Sequence, residues 1–575
     1  MKLLVIISVL TLGNVDCRGI NGGIECAACT VMSGILGQLA VIHNETIYGE
    51  GLELCSKLPG SARSYCDTFV HLLEPLIVSR STLKEFTPDV FCYGIRLCYL
   101  EEETHRYCHL FPKPTSSFRS AVKKFEEFAS NAYKARNRSA VRSISEVRAL
   151  TRDVCKFPVL SAICKAVNET YRSLEPLFDA DGDGFSMFED LRGTFWRGRD
   201  CADWESTAYP GRRPLDGDES FDHNCNGIFG TNQATGRPYE TELCGDSGAR
   251  GIAYFGDSVG GHFHFPDAWL DPFKVSLDVH IRALLKHGVM DELNWPQLGY
   301  ATGFMNSTEP ALVQGITDSI YLRLRARNRC NHRDYQNLAQ NADSSFDIPR
   351  HVFSLARNKT VDKPLLIFYA VVGIDVCNEL SDTLRRMTKP SVFRRNVVNA
   401  LRLLDGTVPE DSHVVLIGLV DGGMIYDIMA DRLHPIGQLN GDVHYRELYR
   451  WFNCMEIGPC YGWLNENATL RKLTTKVALQ LNARLKDVAT TEKFRSFDVH
   501  YLDNPIHEMF HEWQKNHSAW MLVEPVDSLH PTQLAQPIIT DILWKKMLQY
   551  FPHVLGEVNP NNDKIEQLFK DQGGH

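Results

Sequence analysis

Beyond its first residues the 575-residue sequence has no uninterrupted apolar run of the ~20 residues that a membrane-spanning helix needs, so a soluble mature chain is expected. It also lacks an excess of positive charge. With 61 Lys and Arg against 71 Asp and Glu, the net charge is -10, and a phosphate backbone would be repelled by the average surface. No nucleic-acid partner is therefore expected. Charged residues make up only 23% and hydrophobic residues 43%, which leaves little room for extended disorder. At this length two or three domains are expected.

The sequence opens with Lys2, an apolar run from Leu3 to Leu12 and small residues at Val15 and Cys17, so residues 1–17 read as a signal peptide. Its removal leaves 16 of 17 cysteines, an even set that predicts eight disulfides in an exported chain. N-glycosylation sequons at Asn44, Asn137, Asn168, Asn306, Asn358, Asn467 and Asn516 point the same way, to a secreted or lysosomal protein.

Residues 22–102 carry Cys26, Cys29, Cys55, Cys66, Cys92 and Cys98, with helical apolar periodicity in 30–41 and 69–77. Spacing alone leaves fifteen pairings open. The pattern resembles the saposin-type domain, an all-α, disulfide-stapled module. The resemblance implies bridges Cys26–Cys98, Cys29–Cys92 and Cys55–Cys66, and contact with a membrane or micelle surface. Residues 103–153 are basic, with Cys108 their only cysteine, and read as a partly helical linker with a processing site near Arg148 to Arg152. A bridge from Cys108 to a later cysteine would hold two processed chains together.

Residues 154–246 are rich in acidic residues and turn formers. Asp179, Asp181 and Asp183 occupy positions 1, 3 and 5 of a loop, Gly184 position 6, the Phe185 carbonyl position 7 and Asp190 position 12. Hard Ca²⁺ requires six to eight oxygens, and this spacing supplies them, although Asp190 is one methylene shorter than the usual Glu. Asp200, Asp203, Asp216, Asp218, Asp222, Asn224 and Asn226, pinned by Cys201 and Cys225, form a second acidic stretch similar to extracellular calcium loops. A structural Ca²⁺ is the expected cofactor.

Residues 247–555 alternate apolar runs with helical patterns, which predicts an α/β domain with a mainly parallel sheet and flanking helices, followed by a tail over 556–575. Candidate strands are 251–255, 365–372, 413–419 and 497–502; candidate helices include 394–404 and 474–488. The strand ending at Phe255 runs into Gly256-Asp257-Ser258 and then Val259-Gly260-Gly261. A serine at such a turn is placed as a nucleophile whose neighbouring amides face an oxyanion. Gly245-Asp246-Ser247 repeats the tripeptide but follows no strand. Near the C-terminus Asp527 precedes His530 by three residues, as an acceptor that holds an imidazole base would.

The order serine, then aspartate and histidine close together, resembles the GDSL or SGNH hydrolases. In that family a glycine block and a Gly-x-Asn-Asp block complete the oxyanion hole beside the Ser258 amide. Here Ala342 stands in the first block and Ile374, in Gly373-Ile374-Asp375, stands where the asparagine donor is expected. Taken whole, a saposin-type domain, acidic calcium loops and a GDSL hydrolase on one chain resemble the acyloxyacyl hydrolase family, over essentially all 575 residues. The segments 301–304, 331–337 and 570–575 are also similar to it. The resemblance implies ester hydrolysis that releases secondary fatty acyl chains from the lipid A of bacterial lipopolysaccharide, with Ser258, His530 and Asp527 as triad. The donor lost at Ile374 also fits a catalytically impaired lipid-binding homologue, and the same constellation serves phospholipases or lipases of other specificity. Arg323, Arg325, Arg327, Arg329 and Arg333 are candidates for lipid-headgroup phosphates if the segment is extended, which would put Arg323 to Arg329 on one face. His262 and His264, near the nucleophile, read as packing residues or as supports of the residues that do chemistry, and not as a metal pair.

Overall fold

The computed structural model describes residues 19–575 except 59, 79–85, 102–105, 115, 152–157, 277–285, 289–290, 379 and 382. The signal peptide, Arg152 and Cys155 lie outside the described residues.

Five parallel strands form the central sheet: β1 (Gly251–Gly256), β2 (Tyr335–Ala339), β3 (Leu365–Ala370), β4 (Ser412–Ile417) and β5 (Phe497–Leu502), in the order β2-β1-β3-β4-β5. In β1 and β3 every residue is buried. A parallel sheet covered on both faces produces such continuous apolar runs instead of alternation. The long helices Pro390–Thr407 and Ala468–Thr491 pack on each other, and the first buries Phe393, Val397, Leu401 and Leu404 at helical spacing. After β1 the chain goes to β2 on one side and returns to β3 on the other. A crevice therefore opens at the carboxyl end of β1, where this kind of sheet carries its ligands.

Strand β2 was not among the sequence candidates. Its YQNLA sequence looks polar, yet every residue is buried, because Gln336 exchanges hydrogen bonds with the Ala356 backbone and the Asn337 amide donates to Gly260 O and Thr302 Oγ1. Buried amides satisfied in this way sit in a sheet without the cost of an unpaired polar group.

The N-terminal unit is all-α, with helices Gly23–Ile42, Ile47–Ser56, Gly60–Ile77 and Pro88–Gly94, and bridges Cys26–Cys98, Cys29–Cys92 and Cys55–Cys66. Among the described residues Gly23–Ile42 alone is long and apolar enough to cross a membrane, but half of it is buried inside this unit. The helices Phe118–Ala135 and Ala140–Thr151 occupy the stretch expected as a linker. Phe125 packs edge-on against Phe86 and Phe91, at 5.1 and 5.5 Å between ring centres, and Tyr133 donates to Leu72 O. The helical unit is thus larger than the six-cysteine module. Cys108–Cys454 and a hydrogen bond from the Gln38 amide to Ile436 O, 2.8 Å, tie it to the α/β domain. Further bridges are Cys201–Cys225, Cys244–Cys330 and Cys377–Cys460, and Cys164 is also disulfide-bonded.

The arginine segment is not extended. Ile320–Arg327 is an α-helix whose first turn is capped by Ser319 and which buries Ile320, Tyr321 and Leu324 at helical spacing, so the arginines do not share the one face expected of a strand. Arg323 pairs with Asp318 and Asp541, Arg327 donates to Gly556 O, Arg329 to Lys570 O and Arg333 to Gly573 O and Gly574 O. Arg325 donates to His332 and Gln572. Arg325, Arg327, Arg329 and Arg333 thus hold the C-terminal tail.

Candidate functional site

Three segments meet at the carboxyl end of β1. Asp257 caps the short helix Ser258–Gly261 by accepting the Val259 N–H, while its other oxygen accepts the N–H groups of Val372 and Gly373 at the end of β3. One carboxylate thereby sets the nucleophile turn against the neighbouring strand. Burial pushes the Asp257 pKa up to about 6 against these three N–H donors. The turn needs glycine at 260, because a Cβ there would lie 1.8 Å from the Tyr254 ring.

Ser258 Oγ lies 2.6 Å from His530 Nε2, and His530 Nδ1 lies 2.8 Å from Asp527 Oδ2. The second Asp527 oxygen accepts the N–H groups of Leu529 and His530, so the loop closes around its own carboxylate. Burial works against the imidazolium, but Asp527, aided by Asp257 and Glu524, holds the His530 pKa above its ordinary value. Burial works against the Asp527 carboxylate too, yet His530 and the two N–H groups hold it below the usual range. A hydroxyl within hydrogen-bond reach of a base that is itself oriented by a buried acid is equipped for nucleophilic catalysis.

Sequence reasoning did not foresee the pair beneath this loop. His264, six residues after Ser258, places Nδ1 2.8 Å from both oxygens of Glu524, and Nε2 3.0 Å from Leu312 O. Both ring nitrogens face acceptors, and Glu524 with the Leu312 carbonyl holds the His264 pKa above its ordinary value against burial, which favours the doubly protonated ring. Glu524 in turn donates its N–H to His530 O and accepts the Ser528 N–H. The pair joins the nucleophile segment to the loop that carries acid and base. His262 donates from Nδ1 to Trp295 O, 3.2 Å, and burial lowers its pKa to about 3.

Beside Ser258 and His530 opens an apolar cavity of about 50 Å³, walled by Ile374, Trp463, Met509, Phe510 and Leu522 among others. Ile374 is part of that wall. Ala342 has left-handed backbone, φ 64°, the conformation that favours the glycine expected there. Its loop is held from the acidic segment: Arg192 donates to Ala339 O and pairs with Glu292, whose carbonyl accepts the Asn341 amide. A second apolar cavity, of about 100 Å³, lies inside the N-terminal unit between Met32, Leu36, Leu54, Phe69, Leu73 and Ile95.

In the acidic segment the carboxylates gather differently from the two separate loops expected. Asp179, Asp181 and Asp203 converge, as do Asp181, Asp183 and Asp200, each trio with ligand atoms within 4.8 Å of one another. Asp200 and Asp203 thus complete the first loop. Asp190 accepts the Phe178 N–H and joins neither trio. Buried oxygens of Asp181, Asp183, Asp190 and Asp200 have no hydrogen-bond partner. Burial together raises Asp183 to about 8, Asp190 to about 7 and Asp200 to about 6. In the second stretch Asp222 accepts the Asn226 and Gly227 N–H groups, and the Asn224 and Asn226 amides donate to Glu240. Asp218 accepts the Leu215 N–H and meets His223, and Asp216 has left-handed backbone, φ 49°. The Phe185 side chain is buried and stacks on Tyr209.

A Saposin-like domain model matches residues 25–165, which takes in the two helices beyond the six-cysteine module. The acyloxyacyl hydrolase of Homo sapiens is 39% identical over 560 residues, covering 97% of this chain and 94% of that protein. That of Mus musculus is 40% identical over 557 residues, covering 96% and 94%. The enzyme of Oryctolagus cuniculus is 39% identical over 557 residues, covering 96% and 93%. With a saposin-like unit, a parallel α/β domain and this likeness from end to end, the chain belongs to the acyloxyacyl hydrolase family.

Proposed function

We propose that this chain is a secreted or lysosomal serine esterase of the GDSL type that removes secondary fatty acyl chains from the lipid A of lipopolysaccharide. The observation that carries the reading is the run of short contacts from Ser258 Oγ through His530 to Asp527, opening onto an apolar cavity. Ser258 Oγ attacks the acyl carbonyl as His530 Nε2 takes its proton. The oxyanion lies toward the Ser258 and Ala342 amides. Collapse releases the hydroxyl of the carrier lipid, protonated by His530, and leaves the fatty acyl chain on Ser258. Water activated by His530 then frees the acid. The saposin-like unit brings the enzyme to a membrane or micelle surface, and its internal cavity suits an acyl chain. If the chain is cut near Arg148 to Arg152, Cys108–Cys454 keeps the two pieces joined.

Calcium is the structural cofactor in this reading. Converging buried carboxylate oxygens without a hydrogen-bond partner fit a hard dication, and Asp179, Asp181, Asp183, Asp200 and Asp203, with the Phe185 carbonyl, would hold it. Bound calcium supplies rigidity to loops that lead, through Arg192, to the Ala342 turn. Chelation with EGTA is expected to lower the unfolding temperature, and added Ca²⁺ to restore it. Free Ca²⁺ at ~100-fold above Kd contributes about 2.7 kcal/mol, read by calorimetry.

Fatty-acid release from purified lipopolysaccharide, set beside release from phospholipid vesicles, tests the substrate. Release of secondary acyl chains, with little from the vesicles, is expected; the reverse preference makes the chain a general lipase, and release from neither makes it a lipid carrier. Ile374 favours the carrier, since its side chain donates no hydrogen bond. Ile374→Asn is therefore expected to raise kcat, by up to ~10²-fold, if a donor is missing at that place. An unchanged kcat shows that another group already fills it.

A further inference from the structure

A second cluster of histidines stands at the opposite end of the sheet from Ser258. His413 is the second residue of β4, and the parallel register sets it beside Asp498, the second residue of β5. His500 follows Asp498 by two residues and so lies on the same face of the strand. His553 arrives from the short 3-10 helix Pro552–Leu555, where the chain leaves its last long helix. His413 Nδ1 is 2.6 Å from Asp498 Oδ1, while His500 Nε2 and His553 Nε2 are 2.9 and 2.8 Å from Oδ2. Ligand atoms of His413, Asp498 and His553 all fall within 4.8 Å of one another.

We propose that His413, His553 and Asp498 form a binding site for a divalent transition-metal ion of the Zn²⁺ class. Two imidazoles and one carboxylate, with water in the fourth position, are a donor set that zinc takes, with bonds of ~2.0–2.2 Å. Ligands at that distance stand ~3.3 Å apart, inside the 4.8 Å that encloses the three ligand atoms here. The site separates by chemistry from the acidic loops, because imidazole suits zinc whereas calcium takes oxygen. Its frame is rigid: His413 and Asp498 are fixed by the sheet, the His500 ring stacks on Phe551 at 4.3 Å, and Arg250 donates to the Val554 carbonyl beside His553. Asp498 and His553 are partly exposed, which leaves a path from solvent. Because β5 is an edge strand, the ion would pin the turn that leads to the C-terminal tail onto the open edge of the sheet.

The test is titration of the full-length, calcium-saturated protein with Zn²⁺ by calorimetry, alongside the single His553→Ala and double His413→Ala/His553→Ala variants. One equivalent bound by the wild type and weakened more than ~10-fold in both variants is expected. Equal stoichiometry and affinity in all three proteins overturns the site and returns the cluster to a set of ion pairs. Should the double variant not fold, His553→Ala and Co²⁺ substitution decide. Co²⁺ bound to the wild type is expected to give a visible spectrum of nitrogen ligation, and its absence overturns the proposal.

Discussion

Replacing Ser258 by Ala is expected to abolish fatty-acid release, lowering kcat by ~10⁴- to 10⁶-fold while leaving the fold and lipid binding intact. The hydroxyl is small and buried at a turn built by Asp257 and Gly260, so its loss opens little space. The chemistry fails because, among the described residues, Ser258 Oγ is the hydroxyl that reaches His530 Nε2 beside the apolar cavity. Fatty-acid release by the variant at the wild-type rate would place the nucleophile elsewhere. The same geometry sets a pH dependence. His530 must be neutral to accept the Ser258 proton, and Asp527 holds its pKa above the ordinary value. Activity is therefore expected to fall as pH drops through a His530 pKa above ~6.5, and to level off above it.

Glu524→Gln is expected to be the most damaging change outside the triad, costing ~3 kcal/mol of stability and lowering kcat with it. Gln keeps the shape but removes the charge that balances the buried His264 ring. A neutral His264 would leave one of its two acceptors, Glu524 or Leu312 O, without a donor. Burial alone lowers the His264 pKa, yet Glu524 and the Leu312 carbonyl carry it above its ordinary value. The sign of the linkage follows. The folded pKa exceeds the unfolded one, so the contribution is complete below ~pH 6.5 and is lost as pH rises through the folded value. Unfolding in urea at pH 6 and pH 8 reads this directly: the penalty of Glu524→Gln should be larger at the lower pH. A penalty that does not change with pH would show that the pair is not charged.

Much of the candidate cluster is legible in the residues. A strand-terminal Gly-Asp-Ser and a distant Asp-x-x-His are short local patterns, and the sheet has only to bring the two together. The pairing of Cys26 with Cys98 and its companions was also readable, though through resemblance to a family and not through spacing. What escaped notice depends on contacts that cross the fold. Glu524 has no local signature, because its partner His264 lies 260 residues away. Strand β2 hides its burial behind Gln336 and Asn337, whose amides find partners only in the folded chain. The alternating arginines suggested a strand, but the apolar spacing of Ile320, Tyr321 and Leu324 favoured a helix and the C-terminal tail took up their charges. Asp200 and Asp203 stand in sequence with the loop that follows them, whereas the Asp200 N–H bond to Ser186 O and the Ala180 N–H bond to Asp203 bring them to Asp179 and Asp181.

In the proposed mechanism His530 activates Ser258. Labelling with a fluorophosphonate, which reacts with activated serine hydroxyls, followed by peptide mass analysis, reads that activation on the residue itself. A single adduct on Ser258 is predicted, formed by the wild type and not by His530→Ala. Labelling that spares Ser258, or that proceeds at the same rate without His530, would contradict it.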